Sequence, residues 1–177
     1  MLRVFLGILF LLISGVLLFA SIQPDDFKVT RQIRIHAAPE KAYNLVNNLP
    51  RWSTWSPWER LDPAMKRTYG LKEEGVGAVY GWSGNGEVGA GSMQIVEATS
   101  PHSILFKLDF TSPMKAHNMT LFTFQPQGEF TDVTWTMYGP YTYLGKVMHI
   151  FLTMDEMVGK DFEKGLSNLK QVAENPH

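Results

Sequence analysis

The residues with the widest chemical range in this 177-residue chain are five histidines, His36, His102, His117, His149 and His177, in a sequence without cysteine. No two of them stand at the i,i+2 or i,i+4 spacing that brings metal ligands together, and there is no H-E-x-x-H pattern. No metal centre and no cofactor are therefore expected. The lack of cysteine removes disulfides, thiolate ligands and thiol nucleophiles from consideration. The segment "GWSGNGEVGAG" carries a G-x-G-x-x-G pattern at Gly84, Gly86 and Gly89. Its flanks alternate like strands and it opens no helix, so the dinucleotide-binding context is missing and bending of a hairpin is the better use of the glycines.

General acid–base chemistry needs two groups on one surface. His117 and Asn118 are neighbours in an alternating segment and so face opposite ways; Asn118 shares the parity of Phe122 and Phe124, the more apolar side. A buried asparagine there is either a satisfied structural group or a ligand contact. Asp109 shares the face of Lys107, which predicts a solvated carboxylate, and Glu87 sits in a glycine-rich hairpin at an exposed position or near a cavity mouth. Asn118-Met119-Thr120 fits a glycosylation sequon but lies inside a strand pattern. No acid–base pair emerges, and no catalytic residue is assigned.

The elements that would position these groups begin with "MLRVFLGILFLLISGVLLFA", uncharged from Val4 to Ala20. As a helix that stretch is about 25 Å long, enough to cross a bilayer. Leu18 fits a small-x-small cleavage site poorly, so residues 1–22 are expected to be an uncleaved anchor rather than a signal peptide. Arg3 precedes the span and Asp25 and Asp26 follow it, which predicts a single-pass protein with its C-terminal domain on the extracytoplasmic, periplasmic side. With 16 basic and 17 acidic residues the chain carries no electrostatic footprint for nucleic acid.

Residues 23–26 form a linker into the strand "FKVTRQIRIHA", whose Phe27, Val29, Arg31, Ile33 and Ile35 share a face. "APEKAYNLVNN" predicts a short helix begun by Pro39. Six alternating segments between about 65 and 139 predict an antiparallel meander, with Ile104, Phe106, Leu108 and Phe110 on its apolar face beside Val133, Trp135 and Met137. From Val147 to Leu169 apolar residues recur every three or four positions, predicting a long amphipathic helix with a break near Thr153 or Gly159.

Three of the five tryptophans, Trp52, Trp55 and Trp58, fall within "RWSTWSPWERLDP". Pro57 and Pro63 limit any helix there to about one and a half turns. The expectation is that Trp52 and Trp55 stack over one end of the curved sheet while Trp58 crosses the opening, either as core or as a ligand-contacting lid. Tyr80, Tyr138, Tyr141 and Tyr143 are candidate polar anchors for a mainly apolar pocket. Met93, Met119, Met137, Met148, Met154 and Met157 supply adaptable surface, as core filler or ligand contact.

The order β-α-α-β6-α, with "W52-x2-W55-S-P-W58", "D62-P63", "Y80-G-W82-S-G-N-G-E-V-G89-A-G91", "V133-T-W135-T-M137-x-G139" and "D161-F162-E163-K164-G165-L166-x2-L169-K170", resembles the START-like (SRPBCC) superfamily of polyketide cyclase/dehydrase-like proteins, in a membrane-anchored bacterial branch. The resemblance covers about Phe27 to Val172. It implies an α+β helix-grip fold over residues 27–173: a curved antiparallel sheet of about seven strands wrapped around the long C-terminal helix. It also implies a binding module for a hydrophobic small molecule or lipid, held in a cavity between sheet and helix. Trp55, Trp58, Tyr80, Trp82, Phe106, Asn118, Trp135, Met137, Met154 and Phe162 are the residues expected to line it. The alternatives are a cyclase/dehydrase-like enzyme, or an envelope interaction domain with a filled core whose "YTYLGKVMHIFLTM" lies against the membrane or a partner.

Overall fold

A computed structural model describes residues 1–175. Helix α1 (Leu2–Ser21) is apolar enough to cross a membrane and almost none of it is buried, which distinguishes it from a core helix. The domain that follows comprises β1 (Asp26–Ile35), α2 (Pro39–Asn47), the single turn α3 (Trp52–Trp55), β2 (Lys66–Tyr69), β3 (Val79–Ser83), β4 (Ala90–Thr99), β5 (Ser103–Ser112), β6 (Ala116–Gln127), β7 (Phe130–Pro140), α4 (Tyr143–His149) and α5 (Met154–Glu174). 3-10 turns at Leu49–Arg51 and Pro57–Arg60 flank α3.

All seven strands form one antiparallel sheet in the order β1-β7-β6-β5-β4-β3-β2. The meander accounts for β2 to β7 in sequence, and β1 closes the far side by pairing with β7 along its whole length, Asp26 opposite Pro140 and Ile35 opposite Thr131. Register shifts at Ala90/Gly91 and Ile95/Glu97 bend β4, as bulges do. The alternation predicted from sequence holds: Ile104, Phe106, Val133, Trp135 and Met137 are buried on the inner face, whereas Lys107 and Tyr138 are exposed on the outer one.

Helix α5 lies across that inner face and buries Phe162, Leu166, Leu169 and Ala173 against it. Close approach is built into two of its glycines. Arg31 of β1 lies over Gly159, and Trp135 and Pro57 press on Gly165. Arg31 clamps the helix to the sheet edge through Asp155 (2.7 and 2.9 Å) and Glu163 (2.7 Å). The predicted break falls at Thr153. Its hydroxyl accepts from the Glu156 N–H (3.2 Å) while the Glu156 carboxylate accepts from the Thr153 N–H (2.8 Å), a capping box that starts α5 afresh. Gly159 does not interrupt the helix.

Of the two readings of the tryptophans, core or ligand-contacting lid, the structure places Trp52 and Trp55 in the core. Both are buried members of the hydrophobic cluster, on a helical turn that follows α2 with only a 3-10 turn between. Their indole N–H groups donate to the carbonyls of Val46 (2.8 Å) and Leu45 (3.1 Å) at the end of α2, which satisfies them without solvent.

Candidate functional site

The inner space has a filled end and a looser end. At the filled end Trp52 and Trp55 lie 4.5 Å apart and meet Phe106, Phe122 and Trp135 at ring-centroid distances of 5.5–6.3 Å. Trp135 stacks on Phe162 of α5 at 4.1 Å with planes 6° apart and donates its N–H to Thr120 Oγ1 (3.2 Å). Of the residues expected to line a cavity, Trp55, Phe106, Trp135 and Phe162 thus lie together in a close-packed aromatic block, each at most 2% exposed.

At the other end, where β1 begins and β7 finishes, packing loosens. Leu108, Trp82, Tyr141, Met154 and Val158 are only half-buried there, near the buried Asn118 and Met137, whereas the half-buried Trp58 packs edge-on against Trp135 (5.7 Å) and Phe162 (6.2 Å) of the aromatic block. This mouth is framed by β3, the ends of β5 and β7, the start of β6 and the N-terminal half of α5. Trp82 lies flat over its cross-strand partner Gly91, edge-on to Phe110 (5.7 Å) and stacked with Tyr80 (6.0 Å). A side chain at 91 would collide with the Trp82 ring, so glycine there is what allows the tryptophan to fold down as one wall. Tyr141 packs on Phe27 (5.3 Å) and shares a hydrogen bond with His149 (2.8 Å).

Asn118 is the chemically exceptional member. It is 5% exposed, it faces inward as its parity predicted, and its Oδ1 is fully buried without a hydrogen-bond partner among the described residues. The carbonyl lies over Gly139, its neighbour on β7, where any Cβ would collide with it. A buried acceptor left unpaired costs roughly 1–3 kcal/mol, so the position favours an occupant that brings a donor.

Three acidic groups near this space carry no site role in the sequence reading, although Asp62 and Asp161 stand in the motifs that carry the resemblance. The Glu59 side chain is only 6% exposed and accepts from Tyr80 Oη (2.7 Å) and from Arg67 Nε (2.6 Å). Burial, then the hydrogen bond to Glu59, raises the Tyr80 phenol well above its ordinary range, so it stays a neutral donor. Asp161 of α5 is half-buried; burial raises its carboxyl and a hydrogen bond from Trp58 partly offsets that. Asp62 is buried and accepts from the backbone N–H groups of Ala64 (2.9 Å) and Asn85 (2.7 Å), fixing the β3–β4 hairpin. A lone acid in a turn or on a charged helix carries no sequence signal that separates it from a solvated one; only the tertiary fold brings these inward.

The remaining candidates scatter. Tyr138 points outward and Tyr143 is exposed beside α1, so neither anchors an inner pocket: the first has the wrong parity, and the second belongs to a helix turned toward α1. Of the methionines, Met93 and Met137 are on the inner face, Met119 is on the outer face and Met157 is exposed. Asp109 is tied on the outer face to Lys107 (2.9 Å) and His117 (2.5 Å), which lower its carboxyl, the histidine contributing most. Glu87 is exposed. Among the described residues no three His, Cys, Asp or Glu side chains converge as metal ligands; His177 lies outside them. Two open surface grooves sit elsewhere, one of about 330 Å³ by Leu45, Arg51 and Val172, the other of about 580 Å³ on the outer face by Lys28, Leu121 and Tyr138.

The architecture recurs in solved structures at low identity. A protein from Chromobacterium violaceum superposes with a TM-score of 0.60 at 14% identity, over 87% of this chain and all of the other. A protein from Nitrosospira multiformis gives 0.59 at 18%, over 82% and 94%. The di-domain ARO/CYC BexL from the BE-7585A biosynthetic pathway gives 0.63 at 17%, over 90% of this chain and 53% of that one. These establish a shared fold. No curated protein matches the chain. The family model described as polyketide cyclase / dehydrase and lipid transport matches residues 26–174, from the first residue of β1 to the last of α5, and the chain belongs to that family.

Proposed function

We propose that the chain is a membrane-anchored module that binds a hydrophobic small molecule or lipid at the mouth between the sheet and the N-terminal half of α5. The observation that carries this reading is Asn118: an unpaired, buried carbonyl surrounded by half-buried apolar side chains. Sites for small hydrophobic ligands combine an apolar wall with a few converging polar groups. Here Leu108, Trp82, Met137, Met154 and Val158 provide the wall and Asn118 accepts a hydroxyl or amide N–H. Met137 and Met154 adjust to the occupant, since unbranched thioether side chains repack cheaply. Helix α1 anchors the domain, residues 1–22 forming the span, 23–26 the linker and 27–173 the binding domain. Arg3 before the span and Asp25 and Asp26 after it orient the domain to the extracytoplasmic side.

A second reading, cyclase-type catalysis, is favoured by Asp161, a half-buried acid of raised pKa beside Trp58. Extraction of bound small molecules from the full chain in nanodiscs separates the two. The binding reading expects a discrete molecule to be retained, and to be lost in Leu108→Trp and Asn118→Leu variants that remain folded. Failure of the wild type to retain any molecule, or equal retention by both variants, overturns it; turnover lost in Asp161→Asn would establish the second reading.

A further inference from the structure

The geometry points to a second membrane contact: α4 and the Phe151–Leu152 segment lie in the interfacial layer of the bilayer that α1 crosses and set the mouth against lipid. This inference rests on the reading of α1 as a membrane span.

Helix α1 packs against α4, and the connection is specific. Tyr143 Oη donates to the carbonyl of Leu17 (2.9 Å), and Lys146 pairs with Asp25 just beyond the span. Leu17 lies four residues before the end of α1, about 6 Å along its axis, so the tyrosine reaches to the depth where headgroups meet acyl chains. Tyrosine and lysine are residues that tolerate that layer, one presenting a ring with a polar tip and the other a long apolar stem.

The surface around this contact is apolar. Phe151 is 74% exposed, and Leu144, Leu152 and Met157 are exposed with it. Large apolar side chains grouped on one side of a domain mark an interaction surface. The occupant follows from continuity: the patch adjoins the C-terminal end of α1, whose outward apolar side chains need lipid around them.

The mouth lies at this same end of the domain. Asp26 begins β1 opposite Pro140, Tyr141 N–H donates to the Asp25 carbonyl (2.7 Å), and Gly139 is the strand neighbour of Asn118. Only four residues separate Ser21 at the end of α1 from Asp26, a reach of at most about 18 Å even when fully extended. A molecule leaving the outer leaflet beside α1 therefore meets α4, Tyr141 and Met154 before it meets bulk water.

The absence of cysteine makes site-directed labelling clean. Single variants Phe10→Cys, Leu144→Cys, Phe151→Cys and Glu129→Cys of the full chain would carry an environment-sensitive fluorophore in vesicles of phosphatidylcholine and phosphatidylglycerol. Nitroxide-bearing lipids, shallow or deep in the acyl region, would then be added. Glu129 marks the opposite end of the domain, in the β6–β7 turn, where its side chain is 87% exposed. Labels at 144 and 151 are expected to be quenched several-fold more than the label at 129 by the shallow nitroxide, and the label at 10 by the deep one. Quenching at 10 with labels at 144 and 151 as solvated as 129 would overturn the second contact and leave the anchor intact. A label at 10 that no lipid nitroxide reaches would overturn the anchor and, with it, this inference.

Discussion

The substitution Gly165→Ala decides whether the space beneath α5 has slack. A Cβ at 165 would sit 2.9 Å from Cζ3 of Trp135 and 3.1 Å from Cδ of Pro57. Neither neighbour yields easily. Trp135 is stacked on Phe162, edged by Trp55 and Trp58, and held by its hydrogen bond to Thr120; Pro57 is a ring between Ser56, which is buried, and Trp58. Replacing glycine by alanine in a helix interior favours the folded state by about 1 kcal/mol. Forcing a methyl group into a tight core costs about 1–3 kcal/mol, and two rigid neighbours place this site in the upper half of that range. The expected net effect is a loss of about 1–2 kcal/mol, read as a lowered urea midpoint by tryptophan fluorescence on the full chain in mild detergent. Lys164→Ala, on the exposed face of the same helix, should stay within about 0.5 kcal/mol of wild type. A midpoint for Gly165→Ala that rises by the helix-propensity gain would refute the reasoning: the aromatic block would have room for a methyl group, and a ligand could reach deep beneath the helix.

Asn118→Leu removes the unpaired carbonyl while keeping the volume, so thermal stability should be unchanged or raised by up to about 1 kcal/mol while ligand retention falls; a clear drop in the melting midpoint would show that Oδ1 is paired in solution. Thr153→Ala removes the hydroxyl half of the capping box and should cost about 1 kcal/mol, with faster amide exchange confined to the first turn of α5. Asp161 has a folded-state pKa raised above its unfolded value, so its ionisation opposes folding as pH rises past the ordinary carboxylate range. Asp161→Asn should therefore stabilise the protein at pH 7 and make little difference at pH 3, a contrast measurable as urea midpoints at the two values. Asp132 and Asp155 run the opposite way, each lowered chiefly by a hydrogen bond to an arginine, Arg34 and Arg31 respectively. Their contribution is present at neutral pH and is lost below about pH 4, and variants lacking Arg31 should show a shallower acid limb.

How much of this was legible in the sequence depends on the range of the interaction. Strand alternation is a property of a few consecutive residues, so the inner face from Ile104 to Phe110 and the inward direction of Asn118 could be read directly, whereas the helix break was narrowed only to Thr153 or Gly159 and the capping box at Thr153 decides it. The glycine at 139 is explicable only with its neighbour across the ladder, because what it avoids is Asn118. Glu59 shows the limit most clearly. In sequence it is one acid in a turn; in the fold Arg67, eight residues on, and Tyr80, twenty-one residues on, converge on it and let its charge be buried. The choice between core and lid for Trp52 and Trp55 was open for the same reason, since their N–H partners are carbonyls of Leu45 and Val46 on α2, brought to them only by the fold.

Their place in the core also bears on what the domain can hold. Trp52, Trp55, Trp135, Phe106 and Phe162 fill their part of the grip with close-packed rings, so the proposed occupant is assigned to the part where Leu108, Met154 and Val158 are half-buried and Asn118 carries an unpaired carbonyl. A deep cavity would take up a ligand and shield it from every direction. A shallow one of the kind proposed here, bordered by Tyr141 and by α4 where that helix meets α1, would shield it on the side away from the membrane and leave it reachable from the lipid side. On the proposed reading, the tryptophan cluster leaves the space toward the start of β1 to the occupant, and α1 would hold that edge at the bilayer. On that reading, exchange of a hydrophobic molecule would need a displacement of Met154 and Val158 on the first turns of α5 rather than an unfolding of the grip, since Arg31 ties the helix to the sheet through Asp155 and Glu163.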